Sequence, residues 1–326
     1  MSVLNRRAIA ALVVAAAAAL GGTTACTTQS DDADGKLIVG FVVDPSWSHI
    51  PVAQQAGYFA DRGLDVEVVN FSTGVEALQT LTARQVDVTT AAAVPTSAAV
   101  VKSPELRVVA DGARWNGGRI VARRDSGVAR LADLNGKKVG APQGTSGAFF
   151  ADSVLAQAGV TAQQVQVAPS AIVTAATQGN VDAVSIFQPY QAQVIAALGD
   201  DAVVLEESGG SFVDHCLYLT TAATATDKAE DLSAFFAALD AAGADLAAGT
   251  EGSVAAVSAA TQLDPALVSG VLAEYDFALE LRPSLAEELA AKGAWAKKAG
   301  NIDASVTLPD YGQFLDAQFL GQPAPA

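Results

Sequence analysis

Cysteine, histidine and methionine are scarce in this chain of 326 residues, which has 2 cysteines, 2 histidines and 1 methionine. The sequence has no group of cysteines and histidines at the spacing of a zinc site, so neither a metal nor another cofactor is expected. Cys216 lies in an apolar segment and is most simply a buried thiol. A disulfide between Cys26 and Cys216 is the alternative if Cys26 carries no other modification.

Basic residues are also few, since 19 Lys and Arg stand against 35 Asp and Glu and give a net charge of −16. Such an acidic chain repels nucleic acid and anionic lipid, which argues against nucleic acid as a partner. The global charge does not decide the charge of a bound ligand, because a local site can have the opposite sign.

The only long apolar run of the sequence is near its start, where Ala8–Leu20 follows Arg6-Arg7 and precedes small residues. This order is typical of a secretory signal peptide over residues 1–25, with a retained signal anchor as the alternative. Thr24-Ala25-Cys26 resembles a bacterial lipobox, in which the cysteine is lipidated. Residues 26–35 are polar and predict a flexible tether. We therefore expect an extracytoplasmic protein anchored to the cell membrane through Cys26, secreted by either the Sec or the Tat route.

After residue 35, apolar β-branched runs alternate with helical segments as far as Thr220. The first strand is predicted at Lys36–Val43, and the strand Cys216–Thr220 should lead back to it. Such alternation predicts α/β lobes, each with a mostly parallel sheet flanked by helices. From Ala225 onward five helices are predicted, the last at Pro309–Leu320.

One loop joins a predicted strand at Val139 to a helix that ends before Gly159, and it contains Gly144-Thr145-Ser146. A helix N-terminus offers unpaired N–H groups and the positive end of the helix dipole, which suit an anionic or polar ligand group. Thr145 or Ser146 could equally serve as an ordinary N-cap.

Several short motifs occur in order along the chain. They are Gln55–Phe59 with Gly63–Glu67, Gln85–Val88, Leu131–Val139, Gly144–Ser146, and Gln178–Ala183 with Phe187–Tyr190. Together they resemble the substrate-binding proteins of bacterial ABC importers for nitrate, sulfonates, taurine and thiamine pyrimidines. The resemblance implies a type II periplasmic-binding-protein fold, with two α/β lobes, two crossing strands and a ligand cleft between the lobes. By that resemblance lobe 1 comprises residues 36–114 and, with the C-terminal helices, 220–326, while lobe 2 comprises residues 115–219.

Ligands of open α/β sheets bind beyond the carboxyl ends of the strands. The loops at those ends, together with the two crossovers, carry these candidate ligand-binding residues: Ser46, Trp47, His49, Thr90, Trp115, Asn116, Thr145, Ser146, Phe187, Gln188, Tyr190, Asp214 and His215. For the histidines and the aromatic residues, core packing is the alternative. Asp87 and Asp182 lie in matching Val-Asp segments and are interpreted as strand-end structure.

Two ligand classes follow from the resemblance. The family usually has an acid at the position of Gln188, where taurine-type members can meet an amine, so this neutral amide disfavours an amino-bearing ligand. The helix terminus at Gly144–Ser146 favours a small organic anion such as a sulfonate, which we place first. Asp44 followed by His49 resembles the loop of thiamine-pyrimidine binders and, with the nearby tryptophans, would suit a flat heteroaromatic ring.

The function implied is capture of a small molecule by a monomer and its delivery to an ABC permease and its ATPase. A sensory module that presents ligand to a receptor would use the same cleft. An enzyme is the competing class, because pyrimidine-synthesising relatives share the fold. Those relatives carry a cysteine-rich segment that this chain lacks, and the chain has no G-x-S-x-G elbow and no P-loop. His49 or His215 beside Ser46 or Asp214 could still form a catalytic triad if the fold brought them together. We expect a protein without enzymatic activity.

Overall fold

The computed structural model describes residues 35–207 and 212–321, so the predicted signal peptide and Cys26 lie outside the described residues. The strands are β1 (Lys36–Val42), β2 (Asp65–Phe71), β3 (Val88–Ala92), β4 (Leu106–Trp115), β5 (Arg119–Arg123), β6 (Lys138–Ala141), β7 (Gln163–Gln166), β8 (Ala183–Ser185), β9 (Ala202–Glu207), β10 (Asp214–Thr221) and β11 (Tyr275–Asp276). The α-helices are α1 (His49–Ala56), α2 (Gly74–Thr82), α3 (Ala93–Lys102), α4 (Ser146–Gln157), α5 (Pro169–Thr177), α6 (Tyr190–Leu198), α7 (Ala222–Asp227), α8 (Ala229–Ala248), α9 (Glu251–Thr261), α10 (Pro265–Leu272) and α11 (Leu285–Lys298).

Two mixed sheets organise these elements. The first sheet has the strand order β11-β4-β10-β3-β1-β2, and the second has the order β7-β6-β8-β5-β9. In the first sheet β1 to β4 share one direction while β10 and β11 oppose it, and in the second sheet only β5 opposes the rest. The two-lobed α/β fold class is therefore confirmed. We use "first lobe" and "second lobe" for each sheet with its helices, while the residue boundaries of the lobes stay a prediction.

The sequence of β10 shows why the first sheet is buried on both faces. Cys216 and Tyr218 belong to the apolar cluster that includes α1 and α8, whereas Leu217 and Leu219 belong to the cluster that includes α2 and α11. Successive side chains of a strand point to opposite faces, so an unbroken apolar run is what a sheet between two helical layers requires.

The interpretation of Asp87 and Asp182 as strand-end structure is confirmed. The carboxylate of Asp87 accepts a hydrogen bond from the backbone N–H of Ile38 at 2.8 Å, and that of Asp182 accepts one from the backbone N–H of Lys138 at 2.8 Å. Each carboxylate fixes the start of one strand beside its neighbour in the sheet. The two lobes therefore use the same device at corresponding places.

The prediction of a helix at Pro309–Leu320 is wrong. The structure has a single 3₁₀ turn there, Tyr311–Phe314, after which Leu315 forms a bridge with Val108 of β4. Tyr311 and Phe314 are buried against the first sheet, so tertiary packing of an extended segment overrides the local helical tendency.

No single helix among the described residues has both the length and the apolar composition needed to cross a membrane. The helices α8 and α9, which meet at a bend of 107°, satisfy those two criteria only as a pair.

Candidate functional site

A small cavity of about 20 Å³ lies between the lobes, at the carboxyl ends of strands from both sheets. Its described lining residues are Val42, Asp44, Ser46, Trp47, Gly74, Ala92, Pro95, Trp115, Thr145, Ser146, Phe187, Asp214 and Cys216. A cavity of this size holds about one water molecule, so an organic ligand can enter only if the lobes separate.

The structure brings part of the predicted set together. The candidates that line the cavity are Ser46, Trp47, Trp115, Thr145, Ser146, Phe187 and Asp214. The candidates that do not line it are His49, Thr90, Asn116, Gln188, Tyr190 and His215. Asp44 also lines the cavity but is not in the candidate set, although it follows β1 and belongs to the loop that resembles thiamine-pyrimidine binders.

Asp44 is a buried carboxyl at the first-lobe side of the cavity. Its Oδ1 accepts hydrogen bonds from the backbone N–H of Ser46 at 2.7 Å and from the Ser46 hydroxyl at 2.6 Å. The Tyr275 hydroxyl lies 3.4 Å from the same oxygen. Burial raises the pKa of Asp44 from 3.8 to about 7, although the hydrogen bonds from Ser46 act in the opposite direction. Near neutral pH this carboxyl can therefore either accept or donate a hydrogen bond.

The first turn of α4 forms the second-lobe side. Gly144 has φ +75°, a left-handed conformation that glycine adopts without steric cost and that turns the chain into the helix. Thr145 is the N-cap, but its hydroxyl donates to the carbonyl of Pro142 at 2.7 Å and does not cap the helix. Ser146 is the first helical residue and is buried. The loop thus presents a helix N-terminus to the cavity without a side-chain cap.

Asp214 stands opposite that helix terminus, at the start of β10. It is 3% exposed, and its Oδ1 has no hydrogen-bond partner among the described residues. Burial raises the pKa of Asp214, while a hydrogen bond from Ser146 and the charge of Lys292 lower it to a smaller extent. A buried acceptor without a partner is unfavourable by itself, so a ligand that donates a hydrogen bond at this point would stabilise the site.

Two tryptophans give the cavity flat apolar walls. The indole N–H of Trp47 donates to the carbonyl of Leu217 at 3.2 Å, which holds the ring in the first lobe. Trp115, the last residue of β4, stacks on Tyr275 with ring centroids 6.1 Å apart and an interplanar angle of 19°. Phe187 lines the cavity from the second lobe. Such surfaces suit an aromatic or apolar part of a ligand.

Both histidines are engaged elsewhere. His49 is fully buried with its Nε2 2.9 Å from the carbonyl oxygen of Phe277, and burial lowers the pKa of His49 to about 4. Nδ1 of His215 lies 2.6 Å from Oδ2 of Asp111, in a pair that joins β10 to β4. Neither histidine has Ser46 or Asp214 among its hydrogen-bond partners, so the geometry gives no support to a triad.

Three other candidates take part in local structure. The hydroxyl of Thr90 accepts from the backbone N–H of Val42 at 2.9 Å. The Gln188 amide accepts from the Ala192 N–H at 3.0 Å and donates to Glu274 at 3.3 Å. Tyr190 packs on Phe187, with ring centroids 6.0 Å apart.

Asn116 is the one remaining candidate. It follows β4 directly and is exposed.

The side chains that line the cavity contribute negative charge or none. Its described lining contains two acids, Asp44 and Asp214, and no Lys, Arg or His. Cys216 also lines it, as a free buried thiol. Burial, with the nearby carboxylate of Asp214, raises the pKa of Cys216 well above its ordinary value. The thiol therefore stays protonated and is a poor nucleophile or metal ligand.

Comparisons with known proteins agree with this architecture. A family model described as NMT1/THI5 like matches residues 44–251. A Brucella abortus protein, named provisionally as a binding protein, is 31% identical over 155 residues, which cover 46% of this chain and 47% of that protein. A Bacillus subtilis protein, named provisionally as an aliphatic sulfonates-binding protein, is 30% identical over 158 residues, which cover 45% of this chain and 47% of that protein. The chain thus spans about half the length of the curated relatives it matches.

Among solved structures, the alkanesulfonate-binding protein SsuA from Xanthomonas axonopodis pv. citri, bound to MOPS, superposes with a TM-score of 0.74. The match has 20% sequence identity and covers 86% of this chain and 98% of that chain. At this identity the likeness establishes the fold alone, which is the periplasmic-binding-protein fold.

Proposed function

The chain belongs to the NMT1/THI5-like family, and we propose that it is the extracytoplasmic solute-binding component of an ABC importer. The observation that carries the proposal is the cavity at the carboxyl ends of strands from both sheets, where two lobes can close on a small molecule. The names of the sulfonate-binding relatives support the same role. Capture would be followed by delivery of the ligand to a membrane permease driven by its ATPase.

We further propose that the protein acts as a monomer held at the membrane by a lipid on Cys26. The support is the lipobox-like Thr24-Ala25-Cys26 and the polar residues 26–35 that follow it. A tether of this kind would let the lobes reach a permease in the same membrane.

For the ligand, the geometry supports a nitrogenous heteroaromatic better than the organic anion placed first by the sequence. Asp214 already faces the N-terminus of α4, where a bound anion would otherwise lie, and Asp44 is the second buried carboxyl. A sulfonate placed against these two groups would meet like charge whenever either carboxyl is ionised.

A ring that bears N–H groups, such as an aminopyrimidine, fits these walls. Its donors could reach Asp44 and the unpartnered Oδ1 of Asp214, while its face could lie against Trp47 or Trp115. A hydrogen bond to a charged group contributes about 1.5–3 kcal/mol, which makes the two carboxyls the main source of specificity.

The organic anion remains the second candidate. The specific observation in its favour is that no side chain caps the first turn of α4, so backbone N–H groups there can meet an anionic group. Binding of an anion there requires Asp44 and Asp214 either to be protonated or to make no contact with the anion.

We propose binding without turnover. The described cavity holds no histidine, and its thiol, Cys216, stays protonated, so it offers no activated nucleophile. A sensory role would use the same cavity, and a permease and ATPase encoded beside this chain would distinguish transport from sensing.

A thermal-shift screen on the purified chain carrying Cys26→Ser tests the proposal with alkanesulfonates, nitrate, taurine, aminopyrimidines and aromatic carboxylates. We expect an aminopyrimidine to raise the unfolding midpoint in a concentration-dependent way, and Asp44→Asn with Asp214→Asn to abolish the shift. Asp245→Asn, which changes a carboxylate outside the cavity lining, is the matched control.

Stabilisation by a sulfonate alone would overturn the ligand class and leave the importer role standing. A folded protein that no compound stabilises would argue against solute binding. Conversion of the bound compound, detected by mass spectrometry, would show an enzyme.

A further inference from the structure

Glu274 joins the two lobes at the edge of the cavity. Its Oε2 accepts a hydrogen bond from the indole N–H of Trp115 at 2.9 Å, and its Oε1 accepts one from Nη1 of Arg119 at 2.7 Å. The Gln188 amide donates to Oε2 at 3.3 Å. Glu274 lies between α10 and β11 in the first lobe, whereas Arg119 begins β5 and Gln188 follows β8 in the second lobe.

Gly117 packs directly against this carboxylate. A Cβ atom on Gly117 would lie 2.2 Å from Oε2 of Glu274 and 2.5 Å from Nε1 of Trp115, so only glycine lets the chain pass over this hydrogen bond. The carbonyl of Gly117 accepts from Arg119 at 3.0 Å and from Gln191 at 3.0 Å. The crossover from β4 to β5 is therefore built around the Glu274 carboxylate.

Two consecutive residues, Glu274 and Tyr275, hold the Trp115 side chain in place. Tyr275, next to Glu274, pairs with Trp115 in the sheet and stacks on its ring. Glu274 fixes the indole nitrogen, so the ring keeps one orientation. Because Trp115 lines the cavity and Glu274 does not, the carboxylate can act on a ligand only through the ring and through the position of the second lobe.

We infer that Glu274 is a positioning residue of the ligand site: it orients the Trp115 ring and holds the closed arrangement of the lobes through Arg119 and Gln188. The inference rests on the proposed function only in taking the cavity as the ligand site. The side chains of Arg119 and Glu274 are only 21% and 20% exposed, so water weakens their ion pair less than it would at the surface. Together with the hydrogen bonds from Trp115 and Gln188, this pair can hold the ring and the two lobes in place.

The test measures the environment of the Trp115 ring and the arrangement of the lobes in the free protein, so it requires no ligand. The chain has 3 tryptophans, so 5-fluorotryptophan labelling gives three fluorine resonances, and Trp115→Phe assigns one of them. In Glu274→Gln, which keeps the shape of the side chain and removes its charge, we expect the Trp115 resonance to move more than those of Trp47 and Trp295, which respond only to the changed arrangement of the lobes. We expect small-angle scattering to show a larger radius of gyration in the same variant.

Two further variants keep the test decisive. Gly117→Ala leaves Glu274 in the chain but places a methyl group against both its carboxylate and the Trp115 indole nitrogen, so its readout is the radius of gyration, which should increase as in Glu274→Gln. Asp245→Asn is the matched control, because Asp245 accepts from the Tyr58 hydroxyl at 2.7 Å within the first lobe and should change neither readout.

Affinity measurements then test the role of Glu274 in ligand binding separately from the proposed function. For the compound that stabilises the chain most in the thermal-shift screen, Glu274→Gln should weaken affinity about tenfold, as expected for one charge-assisted contact. In a Trp115→Phe background, which lacks the indole N–H, the same substitution should weaken affinity less. An unchanged Trp115 resonance and an unchanged radius of gyration in folded Glu274→Gln and Gly117→Ala would overturn the inference, whether or not a ligand is found.

Discussion

The indole nitrogen of Trp295 lies 3.0 Å from Oδ2 of Asp152 and donates a hydrogen bond to it. Trp295 is on α11, which packs on the first sheet, whereas Asp152 is on α4, the helix whose first turn lines the cavity. Phe149, on the same helix as Asp152, meets the Trp295 ring edge-on with centroids 5.3 Å apart. The helix that borders the cavity is therefore also tied to the other lobe further along its length.

Replacement of Trp295 by phenylalanine should loosen this tie. The variant retains an aromatic ring beside Phe149 but lacks the N–H that reaches Asp152, so the free protein should adopt a larger radius of gyration in scattering. Loss of the hydrogen bond should lower the free energy of unfolding by about 1 kcal/mol. Tyr58→Phe, which loses a hydroxyl–carboxylate bond within the first lobe, should lower stability without changing the radius. Equal radii for both variants would show that the contact does not hold the lobes.

Substitutions at the start of α4 should separate backbone donors from side-chain donors. Ser146 is the first residue of the helix, where proline is tolerated, and Thr145 has φ −114° and ψ 170°, a conformation that a following proline allows. Ser146→Pro should therefore fold yet lose one N–H at the cavity. Calorimetry should then show severely weaker binding of an organic anion at the helix start, and a smaller loss for a heteroaromatic held by Asp44 and Asp214. Ser146→Ala keeps that N–H and should be milder.

Thr145→Ala at the same loop removes the hydroxyl that donates to Pro142, and it should cost about 1 kcal/mol of stability. The free energy of unfolding of each variant therefore has to be measured beside its affinity. Wild-type affinity in Thr145→Ala, Ser146→Ala and Ser146→Pro would place the ligand away from this loop.

The buried carboxyl of Asp44 should make stability depend on pH. Its pKa is about 7 in the folded protein and near 3.8 when exposed, so between these values the folded state keeps a proton that the unfolded chain releases. The free energy of unfolding should therefore fall as the pH rises through this window, by up to about 1.4 kcal/mol per pH unit for this group. Asp44→Asn should reduce that slope in urea unfolding across the window, and Asp111 and Asp214, whose pKa values burial also raises, should still contribute to it. An identical slope in the variant would contradict the prediction.

Closure of the lobes on ligand should occur about the two strands that connect them. The expected hinge segments, residues 113–116 and 215–219, belong to or adjoin β4 and β10, which pair directly and change register between Cys216 and Leu217. Because the cavity holds about one water molecule and the lobes must separate to admit a ligand, scattering with the compound that gives the largest thermal shift should show a different radius of gyration from scattering without it. An unchanged radius at saturation would indicate a rigid cleft.

The anchor is tested by Cys26→Ser in cells. If Cys26 is lipidated, the variant should leave the membrane fraction and appear in the soluble extracytoplasmic fraction, as judged by fractionation and immunoblotting. Cys216→Ser serves as the control, because that thiol is buried and should not affect the location. Equal membrane retention of Cys26→Ser would point to a retained signal anchor.

Local chemistry in the sequence was sufficient for the alternation of strands and helices as far as Thr220 and for several individual roles. Asp87 and Asp182 at strand starts and the buried thiol of Cys216 are where their immediate neighbours predict. Carboxyl ends of strands also converge as expected, which is why residues as distant as Ser46 and Ser146 line one cavity. These features depend on hydrophobic periodicity and on turn and strand-end chemistry, and both are properties of short segments.

Contacts between residues that are distant in the chain determine the features that the sequence does not predict. His49 packs beneath Phe277 and accordingly stays neutral in the core, although it lies only five residues after Asp44, which lines the cavity. The amide of Gln188 donates a hydrogen bond to Glu274, which is 86 positions away and belongs to no recognisable motif. The segment predicted as a last helix instead extends along β4 because its aromatic residues fill the first lobe. The sequence by itself determined the α/β architecture and the strand ends where a ligand can bind. Only the tertiary structure decided which side chains there have free hydrogen-bonding atoms, because burial and distant partners set the charge and the orientation of each group.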